Sequence, residues 1–118
     1  MKIENIKFKA KKTLDGKWIK GDLVHHKDSD NVWISDYENQ LTSPVDPSTV
    51  CMFTGLKDKN GTPIYEGDIV IYKDNNAERR GTINWDSKTA AFCFGCDFLC
   101  NFPSENMVVV GNKFDKEK

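Results

Sequence analysis

The chain has no run of about eighteen apolar residues, the minimum for a membrane-spanning helix, so a helical membrane protein is excluded. Its opening, Met1-Lys2-Ile3-Glu4-Asn5, lacks the apolar core of a secretory leader. A cytoplasmic protein with no membrane partner is therefore expected. Charge of one sign is not in excess either: 17 Lys and Arg stand against 18 Asp and Glu, a formal net charge of −1. A dedicated nucleic-acid binder is usually basic throughout, so only a local basic patch could serve a polyanion. There is no convincing amphipathic helix longer than about two turns. A glycine-rich phosphate loop, a His-Glu-x-x-His pair and a locally supported Ser-His-Asp order are all missing. No enzyme class is indicated by these residues, and no cofactor is expected. The four cysteines of a cytoplasmic chain are expected as reduced thiols, not a disulfide framework.

What is present is short strands and turns. At 118 residues one domain is expected. Ile6, Phe8 and Ala10 alternate with Lys7, Lys9 and Lys11, the period of a strand with one wet face. Residues 18–26 read as a strand bent at Gly21, 32–34 as a shorter strand, and 36–43 as loop. Asp46 before Pro47 is placed to cap one short helical turn. Further strands are expected over 69–72, 81–85, 89–94 and 107–110. Residues 95–106 read as irregular and the tail, 113–118, as frayed. Many short strands between turns give a mainly β fold class, a barrel or sandwich with little helix. Exposed sheet edges either pair with a second copy or are blunted by charge, so a monomer and a homo-oligomer both fit.

The densest punctuation lies over residues 53–72. Asn60-Gly61 suits a two-residue hairpin turn with both positions at positive φ. Pro63 opens a strand, where it is tolerated, and Glu66-Gly67-Asp68 turns the chain into Ile69-Val70-Ile71-Tyr72. This stretch, Thr54-Gly55-Leu56-Lys57-Asp58-Lys59-Asn60-Gly61 followed by Ile64-Tyr65-Glu66-Gly67-Asp68-Ile69-Val70, resembles the signature of the YopX-like family of small phage and prophage proteins. Ile6 to Ala10, Asp15 to Gly21, Val45 to Val50 and Val108 to Asn112 extend the resemblance over nearly the whole chain. It implies an SH3-like barrel portion over 53–112 with a β portion, 1–50, packed on it, and a phage or prophage protein acting in the bacterial host cytoplasm. It implies no activity and brings no catalytic residues. The Cys-rich segment departs from the family pattern.

Four groups of residues are the candidates for function. Lys57, Lys59 and Tyr65 are the expected exposed positions for a partner, a phage or host protein. Lys7, Lys9 and Lys11 share a strand face and, with Trp18, Trp33, Tyr65 and Trp85 as stacking surfaces, form an alternative site for single-stranded nucleic acid. Cys93, Cys96 and Cys100, with His25 or His26 as fourth ligand, are the lesser alternative, a zinc site; small core residues and free thiols are the commoner use of such cysteines. The adjacent histidines should point to opposite faces of a strand, one packed and one exposed. Asp68 is expected to stabilise its turn, not to pair with Glu66 in catalysis.

Overall fold

Alternation along the chain produces antiparallel strands wherever one face can be buried. The computed structural model describes residues 2–115. Its strands are β1 (Phe8–Lys11), β2 (Trp18–His25), β3 (Val32–Asp36), β4 (Leu41–Val45), β5 (Cys51–Lys57), β6 (Pro63–Tyr65), β7 (Asp68–Lys73), β8 (Glu78–Asp86), β9 (Ala91–Phe94), β10 (Asp97–Phe98) and β11 (Met107–Asn112). Among the described residues, helix is confined to single 3₁₀ turns at Ile3–Asn5, Pro47–Thr49, Leu99–Asn101 and Ser104–Asn106. The chain divides into two units, Met1–Phe53 and Thr54–Lys118, and β5 runs through the boundary.

In the first unit the strand order is β4-β3-β2-β1-β5. One face of this sheet buries Ala10, Ile19, Val32, Ile34 and Val45, with Phe8, Leu23 and Val50 packed against them. Each fully buried Ile or Val there contributes about 1.5–3 kcal/mol. The end of β4 returns to the end of β1 through one bridge, Lys12 to Val45. Thr13 N donates to Pro44 O at 3.1 Å and Asp46 N to Lys11 O at 2.9 Å. Asp46 does cap its 3₁₀ turn, accepting from Ser48 N at 3.0 Å.

Gly21 is required by a close approach: a Cβ there would lie 1.9 Å from Ser35 O. Residues 36–43 are not a loop. β3 extends to Asp36 and β4 begins at Leu41 around a four-residue turn. Asp36 Oδ1 accepts from Glu38 N at 3.0 Å, and Gln40 adopts φ +51°. Polar Ser35, Thr42 and Ser43 hide this hairpin from a hydrophobicity pattern.

In the second unit the order is β10-β9-β8-β7-β11, and the end of β5 pairs with β6. Its core is Ile64, Val70, Tyr72, Ile83, Phe94, Leu99 and Met107, flanked by Leu56, Phe92, Phe102 and Val109. The mainly β class is as the sequence indicates. The described strands do not show a closed barrel over 53–112, since β10 and β11 end the order on opposite edges. Lys113 N donates to Gly67 O at 2.9 Å and Asp115 N to Asn112 O at 3.0 Å, so the tail is held as far as Asp115. Residues 116–118, also expected to fray, lie outside the described residues.

Candidate functional site

The signature stretch serves the backbone. Asn60-Gly61 does not form a two-residue turn: only Gly61 of the pair has positive φ, +81°. The connection spans residues 58–62, closed by Asp58 N donating to Thr62 O at 2.8 Å. Asp58, 6% exposed, organises it. Its Oδ1 accepts from Asn60 N and Thr62 N, each at 2.9 Å, while Oδ2 accepts from Val109 N on β11 at 2.9 Å.

Asp68, 1% exposed, repeats the device ten residues on. Its Oδ2 accepts from Tyr65 N at 2.8 Å and its Oδ1 from Asn112 Nδ2 at 2.9 Å. Bonds to a carboxylate are about twice as strong as neutral ones, so both aspartates tie the signature to the last strand. Glu66 has no comparable role in the pattern.

Tyr65 is buried, at 1% exposure, and so is not a docking residue. It ends β6, and its backbone N–H donates to Asp68 Oδ2. Burial, and then the Asp68 charge, pushes its phenol up to about 12. Lys57 and Lys59 are exposed, and the Lys59 backbone N–H donates to Met107 O at 2.9 Å.

The structure does bring Lys7, Lys9 and Lys11 together. The β1–β2 register sets Lys9 opposite Lys20 and Lys11 opposite Trp18, on the face away from the first-unit core. The Lys9 and Lys11 ammonium groups sit 4.9 and 5.4 Å from the Trp18 ring centroid, and Lys7 sits 4.5 Å from that of Phe53. Such contacts contribute about 0.5–1 kcal/mol each at exposed sites. Lys7, Lys9, Lys11 and Trp18 are half-buried and Lys20 is exposed. Lys20 escapes a scan along the sequence because only the cross-strand register places it beside Lys9.

The expected stacking platforms are largely engaged. Trp18 carries two ammonium groups, and Tyr65 is buried. His26 packs edge-on against Trp33 at 5.6 Å, and Phe92 against Trp85 at 5.0 Å, although Trp85 stays 45% exposed.

The cysteines do not assemble as a metal centre. Cys93 is buried while Cys96 and Cys100 are exposed. Among the described residues no group of three His, Cys, Asp or Glu side chains could hold an ion. Burial, and then the negative charges of Asp86 and Asp97, pushes the Cys93 thiol up, away from reactive thiolate. The segment is ordered by Arg79 instead. Its guanidinium pairs with Asp97 at 2.6 Å, donates to Phe94 O at 3.0 Å, and lies 5.0 and 5.1 Å from the Phe94 and Phe102 ring centroids. Gly95 leaves room for it, since a Cβ there would come within 2.9 Å of Arg79 Nη2.

His25 and His26 are both exposed, because β2 ends at His25 and the chain leaves the sheet. His26, Lys27, Asp28, Ser29, Asn31 and Trp33 line an open depression of about 380 Å³. The Trp33 Nε1 atom is buried with no hydrogen-bond partner among the described residues.

Two antiparallel sheets, a signature tied to the last strand and a lysine-bearing sheet face define a mainly β protein. The sequence model of the YopX protein family matches residues 7–117, and the chain belongs to that family. No curated protein matches it.

Proposed function

We propose that the protein is a non-enzymatic accessory binding module of a phage or prophage, working through a protein partner in the host cytoplasm. The observation that supports this reading is the face of the first-unit sheet on which Lys7, Lys9 and Lys11 rise over Trp18 and Phe53. It is a patterned surface of cations over aromatic rings, suited to contact. Lys57 and Lys59 are a secondary exposed pair. The test is an affinity pull-down from infected or induced host cells with the wild-type chain and with Lys7→Gln/Lys9→Gln/Lys11→Gln. Recovery of a protein by the wild type and its loss with the variant supports the reading, and recovery of nothing above background removes it.

A second reading, single-stranded nucleic acid on the same face, is favoured by the strand spacing of the three lysines and weakened by the engaged rings. It requires binding of an oligonucleotide that falls steeply with salt.

A further inference from the structure

We infer that Asn60 is a covalent modification site, a spontaneous deamidation centre held back by the loop that Asp58 ties to the last strand. Asn60 is the only asparagine of the sequence followed by glycine. Every other asparagine precedes a residue whose Cβ crowds its own backbone nitrogen, and glycine has none. Asn60 and Gly61 are both exposed in the 58–62 connection, and a Cβ built on Gly61 would meet nothing within 4 Å. The Asn60 side-chain amide makes no hydrogen bond among the described residues.

The reaction needs only water. The Gly61 nitrogen, losing its proton, attacks Asn60 Cγ. A C–N bond forms and closes a cyclic imide, the Cγ–Nδ2 bond breaks, and Nδ2 leaves with the proton as ammonia. Water then opens the ring. Cleavage of the bond from Cγ to nitrogen leaves Asp at position 60. Cleavage of the main-chain bond leaves an isoaspartyl linkage, with Cγ carried into the backbone.

The native loop opposes the first step. Gly61 N donates to Asp58 O at 3.0 Å, and Asn60 N donates to Asp58 Oδ1 at 2.9 Å. Thr62 N shares that oxygen, while Oδ2 holds Val109 N on β11. The attacking nitrogen is thus engaged as a donor, with both of its neighbours fixed to one buried carboxylate. Attack requires the connection to open, so its rate follows the open population of this loop. The product then weakens the loop that delayed it. Asp at position 60 sets a second carboxylate close to that of Asp58, and like charges at short range repel. The isoaspartyl form adds an atom to the main chain between the donors that Asp58 Oδ1 holds.

The test incubates the full chain and a free peptide of residues 54–65 in the same mildly alkaline buffer. Peptide mass mapping and ammonia release follow both, and an isoaspartyl methyltransferase tells the two products apart. The expected result is conversion at Asn60 alone, roughly tenfold or more slower in the folded chain than in the peptide, as for a loop open about a tenth of the time or less. Asn60→Gln should abolish it. Asp58→Ser, its fold checked by circular dichroism, should bring the rate most of the way to that of the peptide. If that variant does not fold, urea below the wild-type midpoint should accelerate the wild type in its place. Converted chains, separated by their extra negative charge, should melt at a lower temperature than unconverted ones. No detectable conversion of the folded chain when the peptide is fully converted overturns the site, as does equal conversion at the other asparagines. Equal rates in chain and peptide, or a rate unmoved by opening the loop, overturn the control by Asp58. Identical melting of converted and unconverted chains overturns the coupling to the last strand.

Discussion

At the scale of single residues, the two buried aspartates concentrate the most consequence. Asp68→Ala leaves Tyr65 N and Asn112 Nδ2 without their acceptor in a buried site. An orphaned buried donor costs about 1–3 kcal/mol, so a loss of about 2–5 kcal/mol is expected in urea unfolding. Asp68→Asn, which keeps one carbonyl acceptor, should lose less. Tyr65 supplies a pH signature. Its phenol is pushed up to about 12 by burial, above the unfolded value of about 10. The native chain then holds this proton where the unfolded chain has released it. The stabilisation is complete below pH 10 and is lost as pH rises towards 12. The urea midpoint should fall over that window, and Tyr65→Phe should flatten the part of the fall that Tyr65 causes.

At the scale of elements, the cysteine hairpin depends on one guanidinium. Arg79→Ala removes the Asp97 pair, the Phe94 carbonyl bond and the stacking on Phe94 and Phe102. A thiol reagent should label Cys96 and Cys100 quickly in the wild type and Cys93 slowly, and Arg79→Ala should raise the Cys93 rate at least tenfold. Equal rates for Cys93 in both proteins would separate Arg79 from the ordering of β9 and β10. Gly21→Ala tests the β2–β3 approach: with Ser35 O only 1.9 Å from the new Cβ, the strands must part. A loss of about 3 kcal/mol or more is expected by thermal unfolding.

How far the sequence led is also clearest among the elements. β1, β2, β7 and β11 announce themselves by alternation or by β-branched runs, and the Asp46 cap by its Pro47 neighbour. β4 does not, because Ser43, Pro44 and Thr42 are polar or helix- and strand-averse while Val45 alone faces the core. The lysine row was legible along β1. Its fourth member was not, because Lys20 lies eleven positions from Lys9 in the chain and only a register joins them. Tyr65 misled for the opposite reason: a tyrosine beside Glu66 and Gly67 looks exposed, and only its burial in the fold shows that it turns inward.

At the scale of the whole molecule, each unit carries its own apolar cluster. A core truncation should therefore be felt first within its own unit. Met107→Ala, at a position with 0% exposure, should cost about 2–5 kcal/mol. Amide exchange should accelerate most in β7, β8 and β11, with β1 to β3 less affected; uniform acceleration would mean that the chain opens as a single cooperative block. The near-neutral charge of −1 makes any polyanion binding a property of one face, so association should be suppressed by local charge reversal far more than by a lysine substitution elsewhere.

The bonds from Asp58 and Asp68 to the last strand span 51 and 44 positions of sequence. On a ribosome, both carboxylates emerge long before their partners do. A nascent chain halted ahead of Met107 holds both acids with their local donors, Asn60, Thr62 and Tyr65, but without Val109 N and Asn112 Nδ2. A chain truncated ahead of Met107 should therefore be cleaved within the second unit faster than the full chain in limited proteolysis, and equal rates would mean that the last strand is not needed to close it.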